Sequence, residues 1–241
     1  MARENQNFGD QLTISNPSEL QNLDPFTFAC WLYMKNPYGI SATYPRIYET
    51  DDSADNVARN LFFNNQSKLC LQVKRNTTNA IAVSNANPVS YTIWTHVLAT
   101  FDSTDVPRMY LNGAEISYSS QTGGSGTLKT ESGGDLAFMN SVVINSTLNG
   151  RMAEVGFWNR LLSSAERTNL AANKWSPMLI PSGLVGAWRL LGDDSPEPDS
   201  VYGNNAAVTG SIKADHPPGI VTSLGKPSSA LVPGLVGKLW S

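Results

Sequence analysis

The chain has 241 residues, with 17 lysines and arginines against 20 aspartates and glutamates and a net charge of -3. So mild a charge leaves no electrostatic footprint for nucleic acid, and no apolar run is long enough to span a membrane, so neither is expected as a partner. A chain of this length buries roughly 70–75% of the surface its unfolded form exposes. It therefore needs no disulfide or metal to hold a core, and one large β-sandwich with an appendage is the simplest division.

Taken in order, Phe8 to Ser15 alternates weakly and Phe26 to Tyr33 strongly, with Asn16-Pro17 and Asp24-Pro25 as breakers. Ile47 to Thr50 predicts a short strand, followed by an acidic loop from Asp51 to Asn56. Asn60–Phe63 and Lys68–Lys74 predict a strand pair, and Ala80–Val83 another strand. Trp94 to Gly113 reads as a hairpin: Trp94, His96, Leu98 and Thr100 share one face, Thr95, Val97, Ala99 and Phe101 the other, and both faces call for cover. Its second strand, Arg108–Leu111, ends at Asn112-Gly113, which tolerates positive φ.

Glu115 to Ser119 continues the sheet, and Gln121 to Gly134, rich in Gly, Ser and Thr, predicts a long mobile loop. Leu136–Ile144 and Leu148–Trp158 return to strand patterns, and Ser163 or Ser164 caps a helix reaching Lys174, with Glu166 in its first turn. Cys30 shares a face with Phe26 and Phe28, whereas Cys70 alternates away from Leu69, Leu71 and Val73. A bond between them stays open, and no cysteine or histidine spacing suggests zinc.

Three stretches carry a resemblance. Trp94-Thr-His-Val-Leu-Ala-Thr-Phe-Asp102 with Arg108-Met-Tyr-Leu-Asn-Gly113, then Phe26-Thr-Phe-Ala-Cys-Trp31, then Gly150 to Trp158 running into Asn159-Arg-Leu-Leu-Ser163, resemble the laminin G-like, concanavalin A-like jelly-roll family. The resemblance implies an all-β, two-sheet antiparallel sandwich with one short helix near residues 164–174. Gly183 to Leu190 looks like the segment that usually opens such a domain, so residues 181–216 are expected to complete a domain spanning 1–216. That late segment, ending at Ala214-Asp215-His216-Pro217, is similar to one in phage-encoded and environmental bacterial members. Residues 217–241 are expected to form an extended apolar arm.

Catalysis is not expected: there is no E-x-D-x-E strand, no G-x-S-x-G turn, and neither His96 nor His216 is poised for transfer. The family implies calcium at the sandwich rim, and Asp51, Asp52, Asp55 and Asn56 offer hard oxygen ligands. No other cofactor is expected. Tyr38, Tyr44, Tyr91 and Tyr118, in or beside loops, are candidates to stack on sugars, the alternative being that they cover the sandwich ends.

The arm carries Leu231, Leu235, Val236, Leu239 and Trp240, with two lysines and no acid, unlike a disordered tail. The first residues, Met-Ala-Arg-Glu-Asn-Gln-Asn, lack the apolar core of a signal peptide. The main expectation is accordingly a structural virion protein, made in the host cytoplasm, that decorates a capsid or tail. It would bind shell subunits, or copies of itself, through the sandwich and arm. The alternative is a lectin-like adhesion module that reads surface glycans, with calcium if the rim acids hold it.

Overall fold

The computed structural model describes residues 1–36, 44–52, 54, 56–142, 146–172 and 174–222. They form an all-β jelly-roll sandwich of two antiparallel sheets with one short helix, as the resemblance implies. In chain order the strands are β1 (Ala2–Asn5), β2 (Gln11–Ile14), β3 (Phe26–Met34), β4 (Arg46–Asp51), β5 (Val57–Phe63), β6 (Leu69–Val73), β7 (Ala80–Ser84) and β8 (Trp94–Phe101). There follow β9 (Arg108–Leu111), β10 (Ala114–Glu115), β11 (Tyr118–Thr122), β12 (Leu136–Phe138), β13 (Gly150–Trp158), the helix α1 (Ser164–Ala171), β14 (Leu184–Trp188), β15 (Ala207–Thr209) and β16 (Ile212–Ala214). The first sheet runs β10-β9-β8-β3-β13-β1-β16 with β14 also paired to β13, and the second runs β11-β7-β6-β5-β4-β12-β2-β15.

Period-2 alternation sets the layers. Phe26, Phe28, Cys30, Leu32 and Met34 of β3 enter the core between the sheets, while Ala29 and Trp31 belong to clusters on the outer face. The core centres on aromatic rings: Phe28 lies 4.5 Å from Tyr48 and 5.0 Å from Phe157, and Phe138 lies 5.2 Å from Trp188. Such tilted, edge-on pairs suit the ring quadrupoles. Cys30 is in this core and Cys70 is outside it on β6 of the other sheet, and both are free thiols.

The hairpin of β8 and β9 occupies the place its pattern predicts, and both faces are covered. Its outer residues Leu98 and Tyr110 pack with Ala29 and Trp158 beneath Leu162, Leu170 and Ile180. Asn112 and Gly113, with φ of 49° and 87°, make the two-residue reversal into β10 that a hairpin twist requires. The late segment adds strands to both sheets. β14 pairs with β13 at Val155–Trp158, on the side where β1 pairs further along at Gly150–Met152, and β15 lies on β2.

Five elements differ from the sequence reading. The helix ends at Ala171, short of Lys174, whose φ is 51°. The strand read as Phe8–Ser15 is Gln11–Ile14, and Leu136–Ile144 is Leu136–Phe138, residues 143 and 144 lying outside the described set. β1 lies where no strand was expected, because its buried Arg3, Glu4 and Asn5 break the apolar signal; Arg3 Nε donates to Glu197 at 2.6 Å. The stretch from Gln121 to Gly134 is no free loop. It bridges back at Ser125–Thr78 and Leu128–Arg75, and buried Glu131 accepts from Arg59 Nε at 2.5 Å and from Asn22 N–H at 2.6 Å.

Ser163 caps α1 in a reciprocal box with Glu166, whose carboxyl is held down to about 2, chiefly by the Arg160 guanidinium and then by Ser163. Ser163→Ala is expected to cost about 1 kcal/mol in thermal or urea unfolding. A folded-state pKa below the unfolded value means the Glu166 contribution is complete above the normal carboxylate range. It should be lost as pH falls from that range through about 2. Stability of a Glu166→Gln variant, followed against pH, should therefore converge with the parent at the acid end.

Candidate functional site

Two surfaces carry side chains beyond those the core requires. On the outer face of the second sheet, register places Arg46, Phe62, Cys70 and Val83 in one row and Glu49, Asn60, Gln72 and Ile81 in the next. Towards β4 this face is closed over. Glu49 is fully buried and accepts from Arg46 Nε at 2.7 Å and from the Ser141 hydroxyl. Towards β6 and β7 it is open, with Phe62, Gln72, Ile81 and Val83 half-buried. The Tyr44 ring, 39% exposed, meets Phe62 edge-on at 6.0 Å, and the Arg46 guanidinium lies 4.8 Å over the Phe62 ring. Asn60 Oδ1 is buried and has no hydrogen-bond partner among the described residues. A buried oxygen left this way costs stability unless water or a ligand group reaches it.

The sequence-predicted residues distribute unevenly over this geometry. Tyr44 stands at the aromatic pair, while Tyr38 lies outside the described residues. The Tyr91 hydroxyl accepts from Asn87 Nδ2, and its ring packs on the edge of the core. Tyr118 accepts from Met109 N–H at 2.7 Å and donates back to Met109 O at 3.2 Å, and burial raises its hydroxyl pKa. Tyr91 and Tyr118 thus fill the covering role rather than joining Tyr44. Phe62, Asn60 and Gln72 were missed. The signal for Phe62 is the triplet Leu61-Phe62-Phe63, which breaks alternation and must send one large ring outward.

The rim acids do not assemble into a cage among the described residues. Asp51 is buried, and its Oδ1 accepts Asp135 N–H at 2.5 Å. Asp52 turns back on its own loop, Oδ1 accepting from Ala54 N–H at 2.8 Å and Asn56 N–H at 3.0 Å, and the Asn56 backbone bond holds its carboxyl below the usual range. Asp55 lies outside the described residues. No group of three acidic, histidine or cysteine side chains comes together among the described residues.

The second surface is the outer face of the first sheet, where a pocket of about 410 Å³ is lined by Trp31, Ile93, Trp94, Lys174, Pro217 and Pro218. Behind it, His96 meets the Trp31 ring edge-on at 5.3 Å, and burial drives its pKa down to about 3, keeping the imidazole neutral. The neighbouring Glu154 sits at a bulge in β13 with φ of 49°. Its carboxylate takes Ser176 Oγ at 2.6 Å and Arg189 Nε at 3.1 Å, with His216 Nε2 also 3.1 Å away. Burial raises the Glu154 pKa, but bonds from His216, Ser176 and Arg189 outweigh it and leave the carboxyl below its usual range. This cluster pins the segment that forms the pocket wall. Leu231, Leu235, Val236, Leu239 and Trp240 lie outside the described residues.

Residues 5–166 match the model of the concanavalin A-like lectin/glucanases superfamily. No curated protein sequence matches the chain. Among solved structures, a Bacteroides ovatus protein that carries the provisional name of carbohydrate-binding protein superposes with a TM-score of 0.66 at 16% identity, covering 92% of this chain and 61% of that one. The ligand-binding domain of botulinum neurotoxin serotype D, solved with N-acetylneuraminic acid, gives 0.51 at 10% identity over 72% of this chain and 44% of that one. These structural likenesses concern the fold. With the family match spanning well over half of its length, the chain belongs to the concanavalin A-like lectin/glucanases superfamily.

Proposed function

We propose that this chain is a carbohydrate-binding module that reads glycans with the open outer face of its second sheet. The observation that carries the proposal is the Tyr44–Phe62 aromatic pair standing beside Asn60, whose amide oxygen is buried without a partner. A sugar offers an apolar C–H face and a ring of hydroxyls. Aromatic side chains accept the first, and planar amides and guanidinium groups hold the second with well-defined direction. Tyr44 and Phe62 supply the first kind, and Gln72, on the strand next to Phe62 and about 4.8 Å away, supplies the second beside the unpartnered Asn60 oxygen.

Binding is favoured over cleavage because Glu49, the acid on this face beside Asn60, is buried and neutralised by Arg46 rather than free to transfer a proton. The Bacteroides ovatus protein carries its carbohydrate-binding name provisionally and the neurotoxin domain was solved with N-acetylneuraminic acid, which supports a lectin-like role on this fold. Purified chain on a glycan array should give selective binding that a chelator leaves unchanged. Tyr44→Ala and Phe62→Ala should each weaken it about three- to tenfold, the worth of one aromatic contact. An array flat with and without chelator, or variants that bind as the parent does, would defeat the proposal.

A further inference from the structure

The pocket on the first sheet is chemically unlike the sugar face. Two indoles, Trp31 and Trp94, stand in it with Ile93, Pro217 and Pro218, and Ile93 is left 59% exposed. At about 410 Å³ it is of the size that encloses a small molecule. Its indoles offer an apolar ligand both buried area and ring faces to pack on.

The polar groups of this pocket are mainly donors. Trp31 is only 6% exposed, and its Nε1 is buried without a hydrogen-bond partner among the described residues. An indole N–H can only donate, so what it lacks is an acceptor. Directly opposite on β8, His96 keeps a buried Nδ1 that also has no partner among those residues. A neutral imidazole carries its proton on either nitrogen, so this atom can serve as a donor too. Asn112 Oδ1 already accepts His96 N–H at 3.0 Å, which leaves the amide N–H groups of that side chain. The Lys174 ammonium donates to Pro218 O at 2.9 Å and has further N–H groups to offer. Among the described residues no carboxylate lines the pocket, and the neighbouring Glu154 is taken by Ser176, Arg189 and His216. Nothing on the wall balances the Lys174 charge.

We propose that this pocket is a second ligand site, for a small organic acid whose apolar body packs on Trp31, Trp94 and Ile93 and whose carboxylate meets Lys174 and the Trp31 N–H. An acid supplies the two things this wall lacks, acceptor oxygens and a negative charge, and hydrogen bonds to an ionised acceptor are the stronger kind. A neutral sugar brings oxygens without the charge, and its hydroxyl-studded surface covers two indoles poorly. The site is therefore independent of glycan binding on the other sheet.

Equilibrium dialysis of the full chain against 2-naphthoate, and against 2-naphthamide with the same ring and no charge, tests this. The parent should bind the acid at least about tenfold more tightly than the amide, the worth of one bond to a charged group. Lys174→Met keeps the stem and removes the charge, so it should bind the two alike. Trp31→Phe keeps a ring and removes the N–H, and should weaken acid binding about tenfold. Phe62→Ala, on the sugar face, should bind the acid as the parent does. Retention of neither compound, equal binding of both by the parent, a preference that survives Lys174→Met, or loss of acid binding in Phe62→Ala would overturn the proposal. So would a Trp31→Phe variant that keeps its unfolding midpoint and binds the acid undiminished. If that variant is destabilised, Lys174→Met, at a half-buried rim position, decides by itself.

Discussion

Trp188→Ala is expected to cost about 3–5 kcal/mol of unfolding free energy, read from urea denaturation. The side chain is fully buried, stands edge-on to Phe138 at 5.2 Å and to Phe157 at 6.5 Å, and donates from Nε1 to Asn204 O at 2.9 Å. Removing it opens a cavity where three strands meet and strands the Asn204 carbonyl that ties the following loop to β14. The ring also covers Gly186, where a Cβ would come within 2.6 Å of Trp188 Cη2, so neighbours cannot collapse into the space without moving the strand. Trp188→Phe should recover part of the loss but not the bond to Asn204. A loss under about 1 kcal/mol for the alanine variant would mean that the late segment is an accessory, not part of the core.

That result also tests why the fold was legible where it was. Strands flanked on both sides, such as β3 and β8, carry the full alternation of apolar residues, and their motifs identify the sandwich. β1 was hidden because Arg3, Glu4 and Asn5 are buried through pairing rather than through hydrophobicity. Glu4, for example, takes both Arg151 and Lys35. Periodicity records apolar burial alone, and these three residues satisfy burial by bonds to partners more than a hundred positions away in the case of Arg3–Glu197 and Glu4–Arg151.

The candidate site was legible in part for a related reason. Tyr44 was visible as a loop aromatic, but its partner Phe62 sits inside an apolar triplet that reads as core, and Asn60 and Gln72 join it only through cross-strand register. The hairpin residue Trp94 likewise reads as scaffold. Its face becomes a pocket wall because Pro217 and Pro218 return to it from the far end of the chain. The virion expectation drew on composition at the two ends, which says little about which surface binds. The open aromatic and amide face favours the lectin-like alternative.

Glu131→Ala is the second large effect, again expected at about 3–5 kcal/mol. Arg59 and Glu131 are both buried, and Arg59 also donates from Nη2 to Leu20 O at 2.6 Å and lies 4.7 Å over the Phe26 ring. Deleting the carboxylate leaves a guanidinium in the interior with its Nε unpaired, and an uncompensated buried charge costs more than the pair contributed. It also frees the stretch from Gly123 to Gly134, which Glu131 holds through Asn22 N–H and the Thr50 hydroxyl. Amide exchange in that stretch should rise in the variant even where the sandwich remains folded. Arg59→Met added to Glu131→Ala removes the stranded charge, so the double variant should be less destabilised than the sum of the singles, a coupling of at least about 1 kcal/mol. Additive losses would show instead that the loop is held by its bridges to Arg75 and Thr78 and that the ion pair is incidental to it.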